Sequence, residues 1–595
     1  MTGLRRENVI FIALMAGMLV AASSQTIISP ALPVMVAELG GMDHYSWLPT
    51  SGLLASAVTV PIVGKLSDMY GRRGFYIGGF VLFLTGSALA GAAQDFWWLV
   101  AARVVQGMGM GTIMPLSQTI IGDIISPRER GRYMGYMGAV FGLASVTGPL
   151  AGGLITDNAS WRWLFYVNLP IGIAALAFIA MYLHPPQLVR RHKIDYIGFV
   201  TLGLGLTAVL LATSWGGTVY PWGSWQILGL YAAGILALAA FAVNETRAPD
   251  PVIPPRLWRN PVFTLSNLAS MTIIMTFFGA TIYIPVFAQG VIGMSVTGSG
   301  AVIVPLMLSM ILVSILVGRL ITRTGRYKAF VLAGTLAVAL GYILLARLGP
   351  GSTQLDLTLA MAVIGIGLGA VIQTYTLIVQ NATSREDLGV ATATTQFSRS
   401  AGATLGISLF GTIMTGGMAR EMPRYLPEGA APAQLANGGG VGAVLDPETL
   451  TGLSPAVEAG IREGLAAAMQ PVFLAGIPLA LLAFAATLFI KELPLRLTSF
   501  AAEAEKREAA RRLLAAGVWL TQLADEVEHA NGDVPEALEA AARLVPGEPR
   551  ESGRERARRA AREVIRPLAA QLLLTATHAR DPDRRPERSR VDGRA

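Results

Sequence analysis

The sequence has no cysteine and is poor in histidine. With no Cys and only five His in 595 residues, disulfides, thiolate nucleophiles and cysteine-ligated metals are excluded. The histidines do not follow an HExxH or comparable ligand spacing. We therefore expect neither a metalloenzyme nor a bound cofactor, and nothing in the sequence resembles an enzyme.

Charged residues are also scarce over most of the chain. Residues 491–595 hold 20 Lys or Arg and 18 Asp or Glu, which leaves 26 basic and 20 acidic residues for the first 490. That charged fraction of about 9% is far below the roughly 25% of globular domains. A soluble fold is excluded for this part of the chain.

Long uncharged tracts dominate the first 490 residues. Residues 196–244, 260–318 and 464–490 contain no Asp, Glu, Lys or Arg. Since a helix needs roughly 20 apolar residues to cross a bilayer, and polar Gly/Pro/Ser segments divide the first two tracts, hydropathy predicts fourteen transmembrane helices. The predicted class is an all-α polytopic membrane protein in contact with the lipid bilayer.

Loop charges predict the orientation. If the N-terminus is inside, 21 Lys or Arg flank the helices on the inner side and five on the outer side. Basic residues resist translocation, so both termini are predicted to be cytoplasmic, in the plasma membrane. The net charge of +8 is then an orientation signal, and no nucleic-acid partner is expected.

Two loop segments repeat. GKLSDMYGRR at 64–73 is echoed by GRLITRTGRYK at 318–328, eight predicted helices later. This spacing predicts two six-helix units with a two-helix insertion, as in transporters built from repeats. The predicted divisions are an N-terminal bundle (1–184), the insertion with its linkers (185–260), a C-terminal bundle (261–490) and a cytoplasmic helical tail (491–595).

Three motifs occur in order along the first bundle. The first comprises Gly64, Asp68, Gly71, Arg72 and Arg73, the second Arg103, Gln106, Gly107 and Gly109, and the third Gly142, Gly148, Pro149, Gly152 and Gly153. With them, residues 8–490 resemble the major facilitator superfamily, and within it the fourteen-helix drug:proton antiporters of EmrB/QacA type. The resemblance implies a 6+2+6 helix fold and a secondary transporter that exports hydrophobic compounds by alternating access, with a proton gradient as energy source.

The first motif suggests a latch. Asp68 and Arg72 end adjacent helices on the predicted cytoplasmic side, and Asp123 ends helix four on that side, so the three groups are expected to form charge-assisted bonds. Such a latch would stabilise the outward-facing state. The alternative is a solvated loop that only fixes topology. Thr322 takes the aspartate position in the second repeat, which weakens any latch there.

The other two motifs each have two interpretations. Arg103 is the one charge well inside helix four, and a buried ionisable residue is a functional candidate; the resemblance implies a role near the proton pathway. Alternatively, Arg103 is structural and satisfied by neighbours such as Gln106. For the residues from Gly142 to Gly153 the resemblance implies a kinked helix that seals the two halves, whereas simple helix packing predicts nearly the same residues.

Helix one departs from the family pattern. The family commonly reads L-D-x-T-I-V-x-x-A-L-P, and here Ser24 replaces the aspartate. Without a carboxylate deep in any predicted span, the proton-carrying candidates are Asp123, Glu38 and Asp43, each with an alternative role as a loop or latch charge. The missing counter-charge favours neutral or zwitterionic lipophilic substrates over cations.

Candidate cavity residues share polar or large adaptable side chains on helices one, two, four, nine and twelve. They are Gln25, Thr26, Trp47, Met110, Met114, Gln118, Met275, Phe278, Tyr283, Gln373 and Tyr375. The two glutamines are the stronger candidates, because a glutamine in lipid is costly without a partner.

Two further segments lie outside the bundles. A long external loop is predicted at about 416–468. In the tail, Leu513, Leu520, Leu523 and Val527 form one apolar helical face, a second helix is predicted over 552–577, and 580–595 is predicted to be disordered. The tail either packs on itself or binds an unknown partner or anionic lipid. Two alternative functions stay open, an uncoupled facilitator or lipid transporter and a membrane sensor that acts through its tail.

Overall fold

The computed structural model divides into two units, Met1–Leu497 and Thr498–Ala595, which are described separately. The residues that the structure describes are 3–39, 47–183, 194–216, 219–294, 296–426, 455–495, 509–522, 562 and 565–580. Within these residues fourteen helices are long and apolar enough to cross a membrane. The only β pairing found there is a single bridge between Gly216 and Tyr220, so the predicted all-α class is confirmed.

The fourteen long helices are numbered in chain order. They are α1 (Gly3–Thr26), α2 (Trp47–Tyr70), α3 (Arg72–Gly91), α4 (Phe96–Ile124), α5 (Pro127–Asn158), α6 (Asn168–Tyr182), α7 (Tyr196–Trp215), α8 (Trp225–Glu245), α9 (Pro261–Gly290), α10 (Ile303–Thr324), α11 (Lys328–Ala346), α12 (Gln354–Asn381), α13 (Leu388–Tyr425) and α14 (Pro455–Phe489). Short helices at Leu32–Leu39, Trp163–Tyr166, Pro255–Trp258 and Val296–Ala301 connect them.

Local sequence sets several helix starts. Side-chain oxygens of Asp95, Ser224 and Asn260 accept backbone N–H groups at the starts of α4, α8 and α9. Thr353 and Asp356 form a reciprocal capping box at the start of α12. These bonds satisfy donors that the first helical turn leaves without partners.

The helices pack as six, two and six. In the N-terminal half, α1–α6, α4 packs on α2 and α3, and α1 packs on α5 and α6. In the C-terminal half, α9–α14, α12 packs on α10 and α11, and α9 packs on α13 and α14. The inserted helix α8 packs on α7, which contacts α2 and α13 and so touches both halves.

The predicted external loop at 416–468 is too long at both ends. Helix α13 continues to Tyr425 and α14 begins at Pro455. The two extensions pack together, since a Cβ on Gly417 would meet Ala468. Hydropathy missed these turns because they carry polar residues such as Arg420 and Arg424. Residues 427–454 lie outside the described part.

The second unit is helical where it is described. One helix covers 509–522 and α15 covers Arg566–Arg580. The two pack together, because a Cβ on Gly517 would touch Leu573 and Ala569. The predicted second helix, 552–577, is described only in part, and the predicted face residues Leu523 and Val527 lie outside the described residues.

Candidate functional site

The turns after α2, α4, α10 and α12 meet on one face of the bundle, which we call the basic face. Side chains from these turns bond to backbone groups of the opposite half, as the next paragraphs show. The turns after α2 and α10 each use a glycine with positive φ, Gly71 at 97° and Gly325 at 72°. Glycine takes a positive φ without steric cost, but ψ is 142° at Gly71 and 5° at Gly325, so the two repeated segments place a glycine at the same point in turns of different shape.

Arg72 lies between two carboxylates on the basic face. Its Nη2 is 3.0 Å from Asp68 Oδ1, and its Nη1 is 2.8 Å from Asp123 Oδ2 and donates to the carbonyl of Thr119 at 3.0 Å. All three charged side chains are at least 92% buried. The three predicted latch charges are therefore in direct contact, and two carboxylates share one guanidinium. The neighbouring Arg73 donates instead to the carbonyl of Ala180 in α6.

Asp68 also reaches the other half. Its two carboxylate oxygens accept the backbone N–H groups of Gly389 at 3.0 Å and Val390 at 2.9 Å, in the first turn of α13. A carboxylate at a helix N-terminus is stabilised by unpaired N–H groups and by the helix dipole. The helices approach closely because Gly64 lies against Ala393 and the Gly389 carbonyl. The sequence indicated a latch at Asp68 but not its partner in α13.

The first turn of α13 is held from a second direction. Arg256, in the linker after α8, donates to both oxygens of Asp387 at 2.8 and 3.0 Å. Ser384 donates to the same carboxylate at 3.2 Å. Since a bidentate Arg–carboxylate pair fixes geometry as well as charge, the linker of the inserted helices orients the turn that Asp68 caps.

The contact of α2 with α13 forms one seam between the halves, and a second seam joins α5 to α10. Arg128, at the start of α5, donates to the carbonyls of Thr322 at 3.3 Å and Arg323 at 3.2 Å. The Thr322 hydroxyl accepts the backbone N–H of Arg132 at 3.0 Å. Thr322 thus contacts the opposite half from the position equivalent to Asp68, but through a neutral oxygen.

Small residues line this second seam. A Cβ on Gly131 would meet the Gly318 carbonyl, one on Gly135 would meet the Ser314 carbonyl, and one on Gly142 would meet Ile311. The Ser314 hydroxyl donates to the Gly135 carbonyl at 3.2 Å. Close backbone approach of this kind is what small residues permit in membrane helices.

Beyond Gly142 the glycines of α5 face a different neighbour. Gly148 lies against Thr26, and Gly152 lies against the carbonyl of Ile27, just after α1. A Cβ on Gly153 would meet nothing within 4 Å, and Pro149 is exposed. The predicted sealing motif is therefore divided, with Gly142 against the C-terminal half and the later glycines against the N-terminal half.

Arg103 belongs to a buried polar network that includes Ser24. Arg103 Nη1 donates to Gln106 Oε1. The Gln106 amide nitrogen donates to Ser24 Oγ at 2.9 Å and to Ser87 Oγ at 2.7 Å. All four residues are at most 4% exposed. The serine that replaces the family's aspartate thus sits two hydrogen bonds from the buried guanidinium.

A second deep arginine, Arg399, was missed by the sequence analysis. Its Nε donates to Ser270 Oγ at 3.2 Å, and its Nη2 donates to Thr376 Oγ1 at 2.8 Å and to the Ile372 carbonyl. It is the twelfth residue of α13, about 17 Å from the helix start at 1.5 Å per residue. Hydropathy began this helix near residue 397, because polar residues fill its first turns, and so placed Arg399 at the membrane surface.

The remaining proton-carrying candidates lie elsewhere. Glu38 accepts Arg162 Nη1 at 2.6 Å and the Trp161 indole N–H at 2.7 Å, and these bonds hold the pKa of Glu38 below its ordinary value. Its contacts are those of an ion pair within the N-terminal half. Asp43 lies outside the described residues.

The predicted cavity residues differ in burial. Tyr375 is fully buried and its hydroxyl lies 2.6 Å from Thr487 Oγ1 in α14. Met110, Met114, Gln118, Met275 and Gln373 are buried as well, whereas Gln25, Thr26, Trp47, Phe278 and Tyr283 are partly exposed. Gln373 borders a small cavity between α5, α10 and α12, and its Oε1 has no hydrogen-bond donor.

In the described part of the chain, no group of three or more His, Asp or Glu side chains could hold a metal ion. In the two seams, charged side chains bond to helix ends, and the buried arginines bond to polar side chains. Contacts of this kind support ligand binding and conformational change.

The chain is similar to known transporters. The family description "Major Facilitator Superfamily" matches residues 14–407. "Multidrug transporter protein MdtP" of Bacillus subtilis (strain 168) is 40% identical over 69% of this chain and 75% of its own length. "Multidrug resistance protein 3" of the same strain is 36% identical over 68% of this chain and 79% of its own length.

The fold is similar to that of solved transporters. The proton:xylose symporter XylE has a TM-score of 0.53 at 12% identity, and the likeness covers 83% of this chain and 98% of that chain. At this identity the likeness extends to the fold alone. It agrees with two six-helix halves joined around a central axis.

Proposed function

Because the chain belongs to the Major Facilitator Superfamily and is a multi-pass membrane transporter, we propose that it exports lipophilic compounds by alternating access. The observation that carries this proposal is the asymmetry of the contact between the halves. On the basic face Asp68 and Thr322 each accept a hydrogen bond from the opposite half. Beyond Gly142, by contrast, Gly148 and Gly152 of α5 pack against the end of α1, within the N-terminal half. Contacts confined to one face fit one state of a two-state rocking cycle.

The two halves, 1–184 and 261–490, are proposed to move as units. Opening of the basic face would break the Asp68 bonds to α13 and separate Gly318 from α5, while the far side closes. The inserted helices, in 185–260, contact α2 and α13 through α7 and carry the Arg256 linker. They therefore span the seam that has to open.

The direction of export follows from the proposed orientation. Basic residues favour the cytoplasmic side, so we assign the basic face to the cytoplasm and the present conformation to an outward-facing state of the plasma-membrane protein. Names of the relatives support a lipophilic drug-like substrate, since two bacterial relatives at 36–40% identity are called multidrug proteins.

Proton exchange is proposed to use the paired carboxylates Asp68 and Asp123. Both are buried against one guanidinium, and Asp123 Oδ1 has no hydrogen-bond partner. Burial of two neighbouring carboxylates favours proton uptake by the pair, whereas the positive charges of Arg72, Arg385 and Arg130 oppose it. Protonation weakens the bond from Asp68 to α13, which couples proton binding to opening of the basic face.

One observation favours a second function, an uncoupled facilitator. Ser24 replaces the helix-one aspartate and is held by Gln106, so that position of helix one offers no group that exchanges a proton. In a facilitator the Asp68 cluster would serve only as a structural latch, and a substrate would equilibrate without accumulation.

The test is transport by proteoliposomes that hold the purified full-length chain. A lipophilic fluorescent dye is followed with and without an imposed pH gradient. Gradient-driven accumulation that is lost in Asp123→Asn supports exchange, and equilibration without accumulation supports the facilitator. Glu421→Gln is the matched control, because Glu421 pairs only with the exposed Arg424 of its own helix. No movement above that of protein-free liposomes would contradict transport of that dye.

A further inference from the structure

Two buried arginines inside the helix bundle have only neutral partners. Arg103 is 4% exposed and Arg399 is 7% exposed. Their hydrogen bonds go to an amide oxygen, to hydroxyls and to a backbone carbonyl. Among the described residues, neither takes part in an ion pair. Two positive charges are thus held within the membrane part of the chain without a protein counter-charge.

Both guanidinium groups also keep free donors. Arg103 Nε is buried without a hydrogen-bond partner, and in the described structure Arg399 bonds through Nε and Nη2 but not through Nη1. A buried charge is costly unless it is paired. An anionic group that bonds to these donors would offset the free-energy cost of burying the positive charge, whereas a cation would increase that cost.

Arg399 lies in the C-terminal half, where it bonds to α9 and α12. Its acceptor Ile372 precedes Gln373, which borders the small cavity between α5 and the helices α10 and α12. The unpaired Gln373 Oε1 adds an acceptor there. Through Ile372, Arg399 is thus linked to the stretch of α12 that faces the N-terminal half, and Arg103 supplies positive charge from the N-terminal half.

We propose that the preferred substrates are lipophilic anions, meaning apolar compounds that carry one carboxylate, and that Arg399 binds this carboxylate. The free Nη1 of Arg399 can donate charge-assisted hydrogen bonds to a carboxylate, and the surrounding apolar helices accept the hydrocarbon part. This inference deepens the proposed export function and rests on it.

Three naphthalene compounds of nearly equal size separate charge from hydrophobicity. They are radiolabelled 1-naphthylacetate, the neutral 1-naphthylacetamide and the cationic 2-(1-naphthyl)ethylammonium. Equilibrium binding is measured at pH 7.5 by scintillation proximity on the full-length chain in nanodiscs of zwitterionic lipid. We expect the acid to bind at least tenfold more tightly than the amide, and the amide more tightly than the amine.

Variants test which arginine pairs with the carboxylate of the substrate. Arg399→Gln is expected to remove the tenfold preference for the acid with less than a twofold change for the amide, and Arg399→Lys is expected to retain most of the preference. Arg424→Gln, which removes an exposed guanidinium from the same helix, is expected to retain it in full.

Several results would overturn the proposal. They are equal binding of acid and amide by the unaltered chain, tighter binding of the amine, a preference that survives Arg399→Gln, or no binding of the acid. Transport of the three compounds into proteoliposomes is measured in parallel, and transport of the amide without a preference for the acid would reject the anion site and leave export intact. Absence of transport for all three compounds would count against export itself.

Discussion

Asp68 and Thr322 occupy equivalent positions, two residues before the ends of α2 and α10, and each accepts a backbone N–H from the opposite half. Asp68 accepts from Gly389 at 3.0 Å, and Thr322 accepts from Arg132 at 3.0 Å. Each helix end is followed by a glycine of positive φ. The two repeated positions therefore contribute one charged contact and one neutral contact to the closure of the basic face.

A carboxylate at the neutral position is expected to strengthen closure. Thr322→Asp places a negative charge near the start of α5 and beside Arg128, where interaction with a helix N-terminus is worth about 0.3–1 kcal/mol. We expect a severalfold fall in the population open at the basic face and a matching fall in turnover. Since the chain has no cysteine, spin labels on introduced cysteines in α2 and α13 can report the distance between the halves.

Thr322→Val is the control for this prediction. It keeps the shape of the side chain but loses the acceptor, so the basic face is expected to open more often than in the unaltered chain. Shifts of the label distances in the same direction for both variants would show that Thr322 acts through packing and not through its oxygen.

The divided motif of α5 predicts different outcomes for two glycines five residues apart. A Cβ on Gly148 would collide with Thr26, whereas a Cβ on Gly153 would meet open space. We expect Gly148→Ala to lower thermal stability and transport, and Gly153→Ala to leave both near their original values. The measurement is thermal unfolding in detergent together with dye transport.

Equal sensitivity of Gly148 and Gly153 would contradict this contact pattern. It would indicate that the far part of α5 packs against another surface during the cycle. Gly416→Ala, at another glycine with nothing within 4 Å, serves as a second reference for a tolerated substitution.

The sequence predicted the helices better than the contacts between them. Uncharged tracts identified the fourteen spans because burial in lipid demands apolar residues. The repeated segments at 64–73 and 318–328 predicted equivalent positions eight helices apart, and in both a glycine of positive φ, Gly71 or Gly325, follows the helix end. The partner of Asp68 could not be predicted, because Gly389 and Val390 are ordinary residues and only tertiary packing brings their N–H groups to α2.

Polar residues inside helices explain the remaining errors. Arg399 was missed because hydropathy assigns an arginine near a polar run to the surface, while hydroxyls of Ser270 and Thr376 satisfy it in the bundle. Tyr375 was predicted to face a cavity because it is large and polar, but its partner Thr487 lies within the C-terminal half. One sequence does not show which side of a buried helix faces a substrate.

Glu38 predicts a pH effect on stability that is separate from transport. Bonds from Arg162 and Trp161 hold its pKa below the ordinary value of 4.5. A lowered pKa contributes stability above the unfolded value, and this contribution is lost as the pH falls through the folded value. The unaltered chain is therefore expected to be more stable than Glu38→Gln at pH 7. This difference in the free energy of unfolding is expected to shrink below about pH 4.5.

Thermal unfolding of both chains from pH 7 down to pH 3.5 measures this difference. The pH dependence of transport near neutrality is expected to be the same in both, because Glu38 stays ionised there. A changed transport profile in Glu38→Gln would instead make Glu38 part of the proton pathway.

Restoring the helix-one carboxylate is expected to reverse the charge preference of the binding site. Ser24 is fully buried and accepts from Gln106, which in turn accepts from Arg103. Ser24→Asp adds a negative charge close to the unpaired guanidinium and neutralises it. We expect binding of 2-(1-naphthyl)ethylammonium to strengthen and that of 1-naphthylacetate to weaken, each by about tenfold, which equals about 1.4 kcal/mol. Ser24→Asn has nearly the same size without the charge, so it should leave the ratio of the two affinities unchanged. Equal effects of Ser24→Asp and Ser24→Asn would show that the size of the side chain causes the change, and that the charge at position 24 does not set the charge preference of the binding site.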